Sequence, residues 1–177
     1  MKTLTHQTLY GNWATLLLAT NSKGDIDYKR LENEIDVLIS AGSNGIYSNG
    51  TAVEFYSQNE EEFLKISQLL AEKCEAAQMP FQIGVSHISP QISLSRLHAI
   101  KYLKPSALQV ILPDWFPTSI EESISFMQRM EAEADGIPLV LYNPPHAKVK
   151  LMPSQWMEIK AEVPSLIGVK VFDNDMD

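Results

Sequence analysis

Short apolar runs recur along the chain at 13–19, 45–48, 81–85, 107–112, 138–142 and 166–171, their starts 26 to 36 residues apart. Each run is close to continuous rather than alternating, the pattern of a strand buried on both faces. Between the runs, apolar residues return at helical spacing, as in Leu64, Leu69 and Leu70 with Ala71 and Cys74. Two of these segments carry helix-start chemistry. Ser57-Gln58-Asn59-Glu60 and Thr118-Ser119-Ile120-Glu121 each fit a capping box, in which a hydroxyl and a carboxylate satisfy orphan N–H groups. Strands alternating with helices predict a parallel α/β sheet with both faces covered. No linker or low-complexity tract divides the chain, which predicts one domain over 1–177. Six units suit either an open doubly wound sheet or an incomplete (β/α)8 barrel, whose closed form takes about 250 residues. The sixth run passes directly into Asp173-Asn174-Asp175-Met176-Asp177, without a helix to cover it. That stop predicts a piece of something longer, with open strand edges.

Charge and cysteine content narrow the function classes. Fourteen basic against 22 acidic side chains give a net charge of −8, which opposes binding to nucleic acid or to an anionic membrane. Cys74 is the one cysteine, so a disulfide framework and a cysteine-based metal site are excluded, and its helical setting predicts a small core side chain. No apolar run approaches the 18 or so residues of a membrane-spanning helix. Residues 13–19 follow Lys2 in faint imitation of a signal peptide, but a single lysine and the intervening Gly11-Asn12 argue against it. A cytoplasmic protein is expected, which makes the acceptor-like triplet Asn49-Gly50-Thr51 incidental.

Candidate chemistry gathers where the fifth and sixth strands end. Lys170 lies in Leu166-Ile167-Gly168-Val169-Lys170-Val171, and burial there lowers an amine's pKa by penalising its charged form. A neutral lysine in an enclosed pocket attacks carbonyls and forms a Schiff base. Tyr142 ends the fifth run, 28 residues earlier, and Asn143-Pro144-Pro145 follows it. Sites in parallel α/β folds form at the C-terminal ends of strands. Neighbouring strands stand about 4.8 Å apart, so the two side chains converge if both point inward. The turn Asn49-Gly50-Thr51-Ala52 follows the second strand, where Gly50 allows close backbone approach and Thr51 with free N–H groups suits a carboxylate. The plainer readings are a solvated lysine, a rim tyrosine and an ordinary rigid turn. His87, His146 and Asp173 follow strands three, five and six, and make an imaginable ligand set for a metal-dependent aldolase. No paired ligand motif supports that set.

The segments Gly24-Asp25-Ile26-Asp27-Tyr28, Ala41-Gly42-Ser43-Asn44-Gly45-Ile46, Asn49-Gly50-Thr51, Glu54-Phe55-Tyr56-Ser57, Tyr142-Asn143-Pro144-Pro145 and Gly168-Val169-Lys170 occur in an order and spacing that resemble a known family. That family is the dihydrodipicolinate synthases and N-acetylneuraminate lyases, class I aldolases. The resemblance implies a TIM (β/α)8 barrel, here cut after about six β/α units, so that the last two units and the C-terminal helices are absent. It further implies a homo-oligomer, usually a tetramer, acting on pyruvate or a related 2-keto acid with an aldehyde-type second substrate, without metal or other cofactor. By position, Lys170 becomes the Schiff-base nucleophile and Tyr142 the proton relay, while Gly50, Thr51 and Ala52 fall where the keto-acid carboxylate is held. Three departures stand out. The family's Gly-Thr-Thr-Gly-Glu turn reads Gly50-Thr51-Ala52-Val53-Glu54, which loses one hydroxyl at Ala52. The synthases' carboxylate-binding arginine falls near Ala147, and their interface tyrosine falls in Pro113-Asp114-Trp115-Phe116. These differences argue against dihydrodipicolinate synthase itself. They leave a relative with another acceptor, or a non-catalytic keto-acid-binding or assembly member.

Overall fold

A computed structural model describes residues 1–172. Six parallel strands appear among them: β1 (Trp13–Thr15), β2 (Gly45–Ser48), β3 (Phe81–Gly84), β4 (Ala107–Val110), β5 (Leu139–Asn143) and β6 (Leu166–Val171). Their order in the sheet is their order in sequence. A doubly wound sheet reverses strand order at its switch point; this one never does, which leaves the barrel. Helices α1 (Tyr28–Ser40), α2 (Glu60–Ala76), α3 (Pro90–Ile100), α4 (Ile120–Glu133) and α5 (Pro153–Glu162) fill the crossovers. Each packs on the next, α1 on α2 through to α4 on α5, as an outer ring.

The sheet is curled. Laid flat, β2 and β6 would stand about 19 Å apart at the usual strand spacing, beyond the joint reach of a tyrosine and a lysine. Yet the Tyr47 hydroxyl and Lys170 Nζ lie 3.1 Å apart across the inner face. The fold is therefore an arc of a TIM barrel. Alternation along each strand separates two layers. Ile46, Ile83, Leu108, Val110 and Leu141 face the helices and join Phe63, Ile66, Leu70 and Leu97 in the main core. Tyr47, Gln82, Gln109, Val140 and Lys170 line the concave side. The expected second helical cover is thus replaced by the barrel's own interior. At its lower end, Leu4 donates its N–H to the Ser106 carbonyl at 2.9 Å and is buried with Ala107 and Val140.

Local expectations shift in three places. The first strand ends at Thr15 rather than running to residue 19. The Leu17 N–H goes to the Glu34 carboxylate of α1 at 2.8 Å, so the apolar run stays near the helices while leaving the ladder. Both capping boxes exist, but on Asn59 with Glu62 and on Ser119 with Glu122. Ser57 instead donates to the Glu54 carbonyl at 2.8 Å, and Thr118 pairs with Ser123 at 2.9 Å. The inner stripe of α2 is Phe63, Ile66, Leu70, Ala71 and Cys74, with Leu64 and Leu69 at its margins.

Candidate active site

The face on which Lys170 lies is decided by a slip in the β5–β6 pairing. Leu139 pairs with Leu166, but Val140 pairs with Gly168, so one extra residue, Ile167, enters β6. Leu166 faces the outer core. Strict alternation from there would send Lys170 outward as well, because a period of two returns every even offset to the same face. The extra residue reverses the phase. Tyr142 and Lys170 become direct register partners, and both turn inward. Gly168, next to the extra residue, makes room for Leu9: a Cβ there would meet Leu9 Cδ2 at 2.5 Å.

Lys170 is half-buried. Its Nζ lies 4.2 Å from the Tyr47 ring centroid and 4.4 Å from that of Tyr142, a pair of cation–π contacts. It donates to the Tyr47 hydroxyl at 3.1 Å, and Thr15 Oγ1 donates to the same oxygen. Tyr142 is 9% exposed. Burial pushes its phenol above the ordinary tyrosine range, the nearby Thr51 hydroxyl pulls the other way, and Tyr47 adds a smaller upward push. The phenol therefore stays protonated through neutral pH and beyond. That is the state in which it can donate a proton.

The turn after β2 is held from below and behind. Asn49 adopts φ 53° and is fully buried, with Nδ2 donating to Ser67 Oγ on α2 at 3.0 Å. Gly84 gives it room, since a Cβ at that position would sit 2.4 Å from the Asn49 carbonyl oxygen. Gly50 then caps a short 3-10 helix, Thr51–Val53. The N–H groups of Val53 and Glu54 are taken by the Gly50 and Thr51 carbonyls, which leaves the Thr51 hydroxyl and the amides of Thr51 and Ala52 as candidate anion donors. Ala52 is exposed and offers no side-chain donor. Behind the loop stands Arg96 of α3, 1% exposed. It donates to the carbonyls of Ser86, Phe55 and Gln58 and to the Glu60 carboxylate, tying together the segments after β2 and β3.

Two hollows flank the paired strand ends, Tyr142 lining one and Lys170 the other. One of about 190 Å³ opens at the C-terminal ends of the strands, lined by Thr51, Phe55, Ile111, Leu112, Tyr142 and Ala147 among others. The other, of about 400 Å³, lies inside the arc and holds Tyr47, Gln82, Gln109 and Lys170. A larger hollow, about 800 Å³, lies by Met1, Asn44 and Pro80 and touches neither Tyr142 nor Lys170. Asn143 braces the mouth, since its amide donates to the Val149 carbonyl at 2.8 Å and accepts from the Leu151 N–H at 3.0 Å.

Residues 9–177 match the model of the dihydrodipicolinate synthetase family. The chain belongs to that family. It is 26% identical over 164 residues to the 4-hydroxy-tetrahydrodipicolinate synthase of Polynucleobacter asymbioticus, covering 93% of this chain and 53% of that one. Against the same enzyme of Neisseria gonorrhoeae identity is 27%, with 92% and 55% covered. The chain thus spans about half the length of these curated relatives. Among solved structures, a Ruminococcus gnavus sialic acid aldolase with its catalytic lysine mutated superposes with a TM-score of 0.86 at 20% identity, covering 98% of this chain and 56% of that one. A prophage protein of E. coli K12 from the dihydrodipicolinic acid synthase family, solved in complex with pyruvate, gives 0.86 at 21%, with 94% and 56% covered. These likenesses carry the fold.

Among the described residues no group of three His, Cys, Asp or Glu side chains stands close enough to hold an ion. His87 Nδ1 accepts the Ser89 N–H at 2.9 Å, and burial, then the Arg96 charge, hold its imidazole below the ordinary range. His146 is exposed at the mouth, and Asp173 lies outside the described residues. Trp115 and Phe116 are 69% and 73% exposed. Across the same loops, the Lys148 N–H donates to Asp114 at 2.8 Å. Among the described residues no helix is long and apolar enough to cross a membrane. Sequence reading missed Tyr47, Thr15, Gln109 and Arg96. The polar positions in the apolar runs of β2 and β4 were the available signal for two of them.

Proposed function

We propose that this chain carries the carbonyl-capture site of a Schiff-base-forming aldolase or lyase acting on pyruvate or a related 2-keto acid. The observation that carries the reading is the register pairing of Tyr142 with Lys170 on the inner face, with Nζ 4.4 Å from the phenol ring. Unprotonated Nζ adds to the C2 carbonyl, and the carbinolamine loses water to give an iminium. The iminium draws electrons from the adjacent C–C or C–H bond. Carbon–carbon bond formation and cleavage are the two directions of that step. Tyr142, protonated and within reach of Thr51, moves protons to and from the substrate oxygens. The Thr51 hydroxyl, with the amides of Thr51 and Ala52 beside Gly50, holds the carboxylate. Family membership supports the reaction class, and the pyruvate complex of the E. coli relative supports the keto acid.

The second substrate enters through the mouth. Its walls are mainly apolar, with Ala147 where the synthases' arginine falls and Asp114 close by. An anionic acceptor would face a carboxylate there, and among the described residues no lysine or arginine lines the mouth, Lys148 Nζ lying over Trp115 instead. The reading is therefore an uncharged aldehyde, and a reaction other than dihydrodipicolinate synthesis. Reduction with borohydride in the presence of pyruvate, followed by peptide mass spectrometry, tests the nucleophile. The expected result is one stable adduct, on Lys170. Absence of an adduct with any small 2-keto acid rejects the assignment.

A further inference from the structure

We propose that Tyr47 is a second catalytic phenol, serving the nitrogen of Lys170 while Tyr142 serves the oxygen of the substrate. The inference rests on the Schiff-base reading and divides its proton traffic between two groups.

Tyr47 comes from β2, four strands away from β6, and only the curl of the sheet brings it to Nζ. Its hydroxyl accepts from Nζ at 3.1 Å and from Thr15 Oγ1. Tyr47 and Thr15 are register partners on adjacent strands, so the chain Nζ, Tyr47, Thr15 is fixed by the ladder. The glycine above is part of the arrangement: a Cβ at Gly50 would stand 3.3 Å from Tyr47 Cε2 and 3.0 Å from Gln109 Nε2. Tyr142 has the complementary neighbourhood. It lines the mouth with Thr51, on the side from which a carbonyl arrives.

The chemistry needs both sides. An ammonium carries three hydrogens on nitrogen and an iminium one, and the other two leave in the water formed from the carbonyl oxygen. The N–C bond forms as the C=O π bond breaks, then the C–O bond breaks as the N–C π bond forms. Two protons therefore depart from nitrogen and two arrive at oxygen, with no oxidant or reductant involved. A phenol touching nitrogen takes each departing proton and passes its own to the Thr15 hydroxyl, which turns from donor to acceptor for the step, and on to water, so no phenolate has to persist. Tyr142 delivers to oxygen and is reprotonated from water.

Tyr47→Phe keeps the ring and its cation–π contact and removes only the hydroxyl. Pre-steady-state trapping with pyruvate and borohydride should show iminium formation about a hundredfold slower. The carbon–carbon step, followed in a single turnover from preformed iminium, should stay at the wild-type rate. Thr15→Val, which touches neither Nζ nor substrate, should slow trapping in the same direction by about tenfold. A wild-type trapping rate in Tyr47→Phe, or an equal loss in both steps, overturns the proposal. Failure of the unmodified protein to trap any 2-keto acid instead rejects the Schiff-base reading on which it stands.

Discussion

The two faces of the curled sheet come from the same six strands, alternate residues going to each, and yet they are opposite in character. The convex face presents Ile46, Ile83, Leu108, Val110 and Leu141 to five helices and is buried and apolar. The concave face presents Tyr47, Gln82, Gln109 and Lys170, and Gln109 Nε2 lies buried there without a hydrogen-bond partner among the described residues. Buried polar groups cost free energy unless hydrogen-bonded. The contrast teaches that the outer layer supplies the stability, which frees the inner one to hold polar groups.

The largest expected effect separates the faces outright. Lys170→Ala should abolish borohydride trapping and turnover while altering stability by less than about 1 kcal/mol, since it removes no part of the apolar core. A thermal melt beside the trapping assay reads both. Deleting Ile167 should give the same chemical loss with the amine still present, because the phase of β6 reverses and Nζ turns toward the helices. Trapping on Lys170 in a folded deletion variant would refute the bulge as the device that aims it.

Next comes Tyr142→Phe. The ring keeps its place in the lining of the mouth and only the proton donor is lost, so turnover should fall about 10² to 10⁴-fold. Slow adduct formation on Lys170 should persist. Normal turnover would remove Tyr142 from the proton path. On the opposite face of the same sheet, Leu108→Ala should destabilise by about 3 kcal/mol through lost burial and the cavity left behind. Adduct formation per folded molecule should be unchanged, since Leu108 points away from Nζ. A denaturant titration paired with trapping checks the separation. Loss of chemistry in this variant would show that the layers are coupled.

The convex face was the legible one. Strands β2 and β6 fall on the predicted residues; the continuous apolar run records burial in β2, whereas in β6 Val169 and Val171 are 51% and 55% exposed. The helix starts were found within one or two residues, since Ser57 and Asn59 both offer a capping oxygen and only the geometry of the turn chooses between them. Lys170 and Tyr142 stand near strand ends as the sequence predicts, and the ladder pairs them directly. The inward aim of Lys170 was not legible, because alternation from Leu166 predicts the wrong face and Gly168 was the sole local hint of a bulge. Tyr47 was overlooked because its partner is 123 residues away, and nothing local to Ile46-Tyr47-Ser48 announces a contact across an arc. Arg96 reads as a polar interruption in an amphipathic helix, and its carbonyl partners lie in two other loops.

The finest test of the contrast uses the thiol of Cys74. It is fully buried in the convex core, and burial pushes it up from an ordinary 9.0 to about 12. The folded chain thus holds this proton more tightly than the unfolded chain does. Its contribution to stability is complete below about pH 9 and declines as pH climbs toward 12, because only the unfolded thiol ionises in that window. Between pH 8 and pH 10 the loss should be about 1 kcal/mol, one unit past the unfolded value. Tyr28 and Tyr142, whose phenols are also raised by burial, add losses at higher pH that a variant shares. Cys74→Ala should therefore be less stable throughout, yet lose about 1 kcal/mol less than the wild type over this interval. Denaturant titrations at the two pH values measure the difference. Equal losses in both proteins would mean that the thiol titrates like one in water, and that the convex layer is wet rather than dry.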